Sequence, residues 1–292
     1  MNIDWFEPYE REVYSVGVIY LTIQNLPREE RYKLENIVLV GIIPGPKEPK
    51  LTINSFLSPL VIDLKEAWTN GFNLTSHAKV MVTVKVALTC VACDLPASRK
   101  ICGFLSHNAS LGCNKCYKKF KVSFGERTDY SGFDRENWPK RSLEKHREDV
   151  HKVIQEVTKT KISEAESKYG VRYSVLLSLP YFDPVRFTVI DIMHNMYLGT
   201  GKHLFQTWID EKLLINSQLT QIDNMIKLFR MPADSGRIPS NIMSSYGSFT
   251  ASQWKNWITV YSPIILKGFL PVDHLQCWLL FVRSCCLLST RI

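Results

Sequence analysis

The chain has 292 residues, 45% hydrophobic and 22% charged, a composition that builds a packed core and excludes disorder. Acids at 4, 7, 10 and 12 exclude a secretory leader, the uncharged run 275–282 is too short to span a bilayer, and eight cysteines do not make a secreted disulfide scaffold. A net charge of +8 with a pI near 9.0 favours polyanionic partners.

The first 94 residues read as α/β. Residues 1–6 form a short first strand. Residues 14–26 (YSVGVIYLTIQNL) are rich in β-branched and aromatic side chains and stop at Pro27, so they form a second. Residues 35–43 (ENIVLVGII) form a third, closed by Pro44-Gly45-Pro46. Asn54 is placed to cap a helix whose Phe56, Leu57, Leu60, Val61, Leu64 and Trp68 recur at helical spacing, with Gly71 as its end. Residues 80–93 (VMVTVKVALTCVAC) form a long strand that runs into Asp94.

From residue 97 the pattern changes. Residues 97–161 hold 15 Lys or Arg against 8 Asp or Glu, so nearly all the net charge lies there. Phe120, Phe124, Tyr130, Phe133 and Trp138 are interleaved with it. Lys and Arg neutralise phosphate and flat rings stack on bases, so this stretch suits nucleic acid. A solvated loop region is the plainer account of the same residues. One polar helix is expected over 142–169, ended by Gly170, and a strand over 171–179. Beyond residue 190 the pattern is mostly helical. Thr250 opens one helix, with Trp254, Trp257, Ile258, Tyr261 and Ile265 on one face, and Pro271 opens another carrying Trp278. These tryptophans read as core.

Three constellations can carry chemistry. A right-handed crossover through the helix at 54–70 sets the strand ending at Asp94 parallel to the first, bringing Asp4 and Asp94 to neighbouring strand ends. Converging carboxylates bind Mg²⁺ or Mn²⁺, and a pair of such ions drives phosphodiester cleavage. Cys113-x₂-Cys116 presents two thiolates to a zinc ion, with His146 the preferred third ligand, His107 the fourth, and Cys102 and His151 as fallbacks. Asp191-Ile-Met-His194-Asn195 sets a carboxylate, an imidazole and an amide at a helix start, where they serve an ion or phosphate or act as local caps. Gly199-Thr-Gly201-Lys202 lacks the glycine spacing of a phosphate loop.

The chain resembles the transposases of CACTA (En/Spm-type) DNA transposons, in their animal and fungal branch. Four blocks carry the resemblance: Asn2-Ile-Asp4-Trp-Phe with Tyr14-Ser-Val and Asn25-Leu-Pro27; Ile43-Pro-Gly-Pro-Lys47 with the following helix; Cys93-Asp94-Leu-Pro-Ala97 running into Cys113-x₂-Cys116; and Leu179-Pro-Tyr181 with Asp191-Ile-Met-His194. The resemblance implies a ribonuclease-H-like α/β core (three strands, helix, strand), a Cys/His basic insertion and a mostly helical C-terminal half. Its segments are 1–96, the first part of the core; 97–161, the zinc-knuckle-like insertion; 162–200, the core continuation; and 201–292, the helical insertion. It implies Asp4 and Asp94 as the first two catalytic acids holding Mg²⁺ or Mn²⁺, with Asp191 as candidate third. It also implies structural Zn²⁺ on Cys113, Cys116, His146 and His107, double-stranded DNA as partner, nuclear location and a homo-oligomer, with no membrane and no small-molecule substrate.

There are departures. The chain starts three residues before Asp4, and Met196 and Tyr197 stand where the plant branch has Glu-Lys. The expectation is therefore a fragment of a transposase catalytic domain, inactive as it stands for want of a secure third acid. The alternatives are a domesticated, non-catalytic DNA-binding or scaffold protein with a zinc knuckle, and a zinc-ribbon protein-interaction module without a DNA role.

Overall fold

The computed structural model describes residues 1–10, 12–49, 53–76, 79–119, 127–129, 134, 136–230, 232 and 236–289, together with 122–123; of 122–123 and 127–128 only the backbone is described. Phe120, Phe124, Tyr130 and Phe133 lie outside the described residues. The chain divides into two compact units, Met1–Ile190 and Asp191–Ile292, so the break falls inside the segment expected at 162–200.

In the first unit, β1 (Asn2–Phe6), β2 (Val16–Thr22) and β3 (Ile37–Ile43) form an antiparallel meander in the order β1-β2-β3. Asp4 pairs with Val18, which pairs with Ile42, and the register shifts at Ile19/Tyr20. A single helical turn, α1 (Arg28–Arg31), lies between β2 and β3. The helix α2 (Ile53–Thr69) buries Ile53, Leu57, Val61 and Leu64; of the stripe expected from spacing, Leu57, Val61 and Leu64 are buried and Leu60 partly so, while Phe56 and Trp68 are exposed. It ends at Gly71, whose φ of +73° an L side chain rarely adopts. That helical stripe joins Ile3, Ile19, Ile43, Val91, Ile101, Leu176 and Phe182 in one core. Each such side chain contributes about 1.5–3 kcal/mol on burial.

Asn54 is not a cap. The helix has already begun at Ile53, and Asn54 reaches across the chain instead. Its Nδ2 donates to the Tyr173 carbonyl at 3.0 Å and its Oδ1 accepts from the Val175 N–H at 2.9 Å. The long strand expected over 80–93 is divided. Its first part, β5 (Met81–Val84), pairs with the short β4 (Phe72–Thr75) in a separate hairpin. β4 is only four residues long (FNLT), too short to have a pattern of its own, and its pairing draws β5 away from the main sheet.

The chain rejoins the main sheet at residues 90–92. The Met1 amino group donates to the Cys90 carbonyl at 2.9 Å, and the Ala92 N–H donates to the Met1 carbonyl at 2.9 Å. That exchange is made by parallel neighbours. On the other side Val91 bridges Thr188, also in parallel. Residues 90–92 thus lie between β1 and residues 187–189.

Asp94 caps α3 (Leu95–Cys102), which ends at Gly103 with φ +76°. Val122–Ser123 and Arg127–Thr128 make a minimal β6–β7 ladder. The single helix expected over 142–169 is two, α4 (Leu143–Ile154) and α5 (Lys159–Tyr169). Ser142 caps the first and Thr158 the second, and a second cap starts a new helix. Residues 171–179 are not a strand. Val171 makes one antiparallel bridge to Phe104, then Ser174 accepts from the Leu176 N–H and opens a 3₁₀ turn, Val175–Ser178. The unit closes with α6 (Pro184–Phe187), capped by Asp183.

The second unit is helical, as expected. A π-helical stretch, Met193–Gly201, leads into α7 (Lys202–Asp210), followed by α8 (Asn216–Leu228), α9 (Ile242–Ser245), α10 (Ala251–Asn256), α11 (Ser262–Ile265) and α12 (Val272–Ser289). Thr250 and Gln253 make a capping box at α10. Phe205 is fully buried and meets Trp208, Tyr246, Trp254 and Trp257 edge to face. Trp254, Trp257 and Trp278 are core, as the pattern predicts, and the Trp278 indole N–H donates to Ser262 Oγ at 2.8 Å.

Three basic side chains of the charged segment work inside the first unit. The buried Arg141 guanidinium donates to the carbonyls of Cys113 (2.9 Å), Cys116 (3.3 Å), Leu111 (3.2 Å) and Gly170 (3.2 Å). Arg147 donates to Leu177 at 3.1 Å and to Leu179 and Phe182 at 3.4 Å. Lys115 donates to the carbonyls of Val185 and Thr188. Removing such a donor leaves buried acceptors unpaired, at roughly 1–3 kcal/mol each. Arg141→Met is therefore expected to lower the stability of the first unit by about 3 kcal/mol, read as a lower urea midpoint at unchanged slope; an unaltered midpoint contradicts the staple.

Candidate functional site

The pairing of β1 with residues 90–92 sets the register of the two expected acids. With Met1 level with Val91, counting along both segments carries Asp4 toward Asp94, although the backbone pairing ends at Ala92 and Asp94 already caps α3. Burial alternates in step: Met1, Ile3, Val91 and Cys93 face the core, while Asp4 and Asp94 fall on the opposite face. The Ile3 N–H donates to Cys93 Sγ at 3.1 Å, so the thiol continues the ladder where regular pairing stops. Burial pushes the Cys93 thiol up to about 12, and the charges of Asp94 and Asp4 push in the same direction. Both carboxylates thus stand within electrostatic reach of one sulfur.

Each acid is held locally. Asp4 Oδ1 accepts from the Trp5 N–H at 3.0 Å, and Asp94 Oδ1 accepts from the Ala97 N–H at 2.8 Å as the cap of α3. Among the described residues neither is in a salt bridge. Mg²⁺ is commonly bound by one or two carboxylates with substrate phosphates completing the shell, and this pair fits that mode. Among the described residues no three His, Cys, Asp or Glu side chains gather around one point that could hold a metal ion.

Asp191 lies in the second unit, at the start of the π-helical stretch. Its Oδ1 accepts from the Met193 N–H at 3.0 Å, and its Oδ2 accepts from the His194 N–H at 3.2 Å and meets His194 Nδ1. The carboxylate is turned onto its own helix start, and the His194 side chain is 44% exposed. The local-capping account of this motif describes what is seen.

The cysteine loop brings two of the four expected zinc ligands together. The Cys113 and Cys116 thiols hydrogen-bond one another, the Lys115 N–H donates to Cys113 Sγ at 3.3 Å, and the Lys118 N–H donates to Cys116. Burial raises the Cys116 pKa and the neighbouring Cys113 raises it further, against the pull of the Lys118 N–H and Arg141. His146 is fully buried against Phe104, ring centroids 5.0 Å apart, and neither ring nitrogen has a hydrogen-bond partner. Burial, with Arg141 adding, pushes His146 down to about 4, which keeps the ring neutral. The two facing thiols have zinc's donor chemistry, but the structure does not gather His146 with them around one point. His107 is exposed, and the fallback ligands lie elsewhere: Cys102 is buried in the core, hydrogen-bonded to Thr188, and exposed His151 pairs with Gln155.

Sequence reasoning missed the internal donors Lys115, Arg141 and Arg147, which composition counts with the surface charge. Of the interleaved aromatics, Trp138 is half-buried with the Lys118 ammonium 5.1 Å from its ring centroid. No helix among the described residues is long and apolar enough to cross a membrane.

No curated protein matches the chain. The model of the transposase family tnp2 matches residues 1–160, more than half of its length. That span holds Asp4, Asp94, the Cys113/Cys116 loop and His146; Asp191 lies beyond it. Membership implies DNA binding. On this match the chain belongs to the transposase family tnp2.

Proposed function

We propose that the chain is a catalytic-core piece of a CACTA (En/Spm-type) transposase of the animal and fungal branch, acting on double-stranded DNA in the nucleus as a multimer. The observation that carries this reading is the parallel pairing of Met1 with residues 90–92, which sets β1, with Asp4, beside the segment that leads into Asp94. A ribonuclease-H-like core is supported by the element order: three antiparallel strands, a helix, then a segment parallel to the first strand.

In this reading Asp4 and Asp94 hold Mg²⁺ or Mn²⁺. When bound, the ions activate an attacking water or hydroxyl and stabilise the leaving oxygen of a DNA phosphodiester. The protein's part is orientation. β1 fixes the backbone of Asp4, and the Ala97 N–H fixes one oxygen of Asp94. Asp94 also stands at the N-terminus of α3, where the helix dipole favours its charge. Cys113 and Cys116 would hold Zn²⁺ and so brace the basic loop, with His146 and His107 as the further ligands proposed.

A second reading is favoured by one observation: Asp191 is committed to His194 and two backbone N–H groups. Without a third carboxylate the chain is inactive as it stands and serves as a DNA-binding or scaffold protein. Metal binding separates the readings before any turnover is sought. Titration with Mn²⁺ followed by electron paramagnetic resonance is expected to show binding by the parent, weakened at least about tenfold in Asp4→Asn and in Asp94→Asn. Asn keeps the α3 cap, so the second loss is not a folding effect. Equal binding by all three proteins removes both acids from a metal site. With Mn²⁺ supplied, nicking of duplex DNA that Asp94→Asn abolishes supports the catalytic reading, and DNA binding without nicking supports the scaffold.

For the loop, about one zinc per chain is expected after reconstitution, falling in Cys116→Ser and in His146→Phe. Unchanged zinc content in His146→Phe assigns the third ligand elsewhere.

A further inference from the structure

The α4–α5 hairpin carries a cluster that the metal chemistry does not use. Asp149 on α4 is only 1% exposed. Its carboxylate accepts from the Tyr117 hydroxyl at 3.1 Å and the Lys145 ammonium at 2.8 Å, with the Lys152 ammonium at 3.5 Å. A carboxylate this deep persists only when paired, and here two cations and a hydroxyl share the task. Tyr169, at the end of α5, has the ammonium groups of Lys152 and Lys168 each 5.2 Å from its ring centroid. The Tyr117 ring is backed by the Arg141 guanidinium at 4.2 Å.

Tyr117, Lys145, Asp149, Lys168 and Tyr169 line one cleft of about 170 Å³. That is about the volume of six waters, room enough for a phosphate group with its ester oxygens. Each ammonium has three N–H donors. Lys145 and Lys152 share one carboxylate between them, which leaves donors on both, and Lys168 adds its own. Glu148, 3.7 Å from Lys145, is 63% exposed and is not among the lining residues. Residues 143–169 hold equal numbers of acidic and basic residues, whereas the cleft is lined by two ammonium groups, Lys145 and Lys168, and one carboxylate, Asp149, with the Lys152 ammonium 3.5 Å from that carboxylate.

We infer that this cleft is a phosphate subsite that takes a backbone phosphate of duplex DNA. The inference rests on the DNA-binding reading above. Asp149 acts as the anchor that holds Lys145 and Lys152 in place, and Lys168 closes the site from α5. Contacts of this kind carry no base specificity; they set the position of the protein on the duplex.

The test compares the full chain with a Lys152→Gln/Lys168→Gln variant and a charge-matched Lys227→Gln/Lys255→Gln control in the second unit. Binding to a duplex of mixed sequence is measured between 50 and 200 mM salt, with thermal melting to check folding. The plot of log affinity against log salt is expected to flatten by about 1 per lysine in the cleft variant, and less in the control. A cleft variant with the slope and affinity of the control overturns the inference and leaves DNA binding standing. A parent that shows no salt-dependent binding overturns both. Titration with inorganic phosphate alone separates the sources: phosphate that binds the parent while the cleft variant keeps full DNA affinity assigns the cleft to the free anion and overturns the inference.

Discussion

Everything in the candidate metal site depends on a short stretch of parallel pairing. Residues 90–92 lie against Met1 on one side and Thr188 on the other, and only a few backbone hydrogen bonds fix that arrangement. A slip of one residue would turn Asp94 toward the core and Cys93 toward solvent, because side chains alternate faces along a strand. The buried thiol opposes the slip. Cys93 fills a core position and its sulfur takes the Ile3 N–H, so the register is held at the point where the two acids meet. Asp94 then serves two ends at once, closing a strand segment and opening α3.

The charged segment divides into two populations. One group of cations points inward and satisfies main-chain carbonyls. Arg141 gathers the ends of the cysteine loop and the close of α5, and Gly170 makes room for it: a Cβ there would lie 2.7 Å from the Arg141 Nη2. Lys115 ties the same loop to residues 185–188 beside the central strand segment. These groups replace secondary structure where the loop has little of its own. The other group, with Lys145 and Lys152, stays at the surface and, joined by Lys168 from just beyond the segment, is arranged around tyrosine rings and a single buried carboxylate. A net charge counts both groups alike, though only the second is free to meet a polyanion.

The three antiparallel strands, much of the stripe on α2, the helix start at Thr250 and the helix end at Gly170 were legible because each rests on a local rule. Local reading failed where a distant partner decided the outcome. The apolar run over 80–93 has one pattern but two partners, β4 and β1, and divides between them. Asn54 has the chemistry of a cap, and residues 173–175 claim it first. The parallel setting of residues 90–92 beside β1 was within reach because a crossover rule links distant strands without needing side chains. The inward roles of Lys115, Arg141 and Arg147 had no such rule behind them, since nothing in their spacing tells a buried cation from a solvated one.

The Asn54 clamp also says something about the order of assembly. Its two bonds join positions 119 and 121 residues apart, and the central strand segment waits for partners nearly as far away on either side. Long-range closures of this kind slow folding, because the loop must be ordered before its contacts reward it. On a ribosome the meander can form early, yet its helix stays unlatched and its sheet incomplete until residues 173–189 have emerged. Over that interval the apolar edge of the young sheet stands open, so the nascent chain is most exposed to aggregation or chaperone capture during synthesis of its basic middle third.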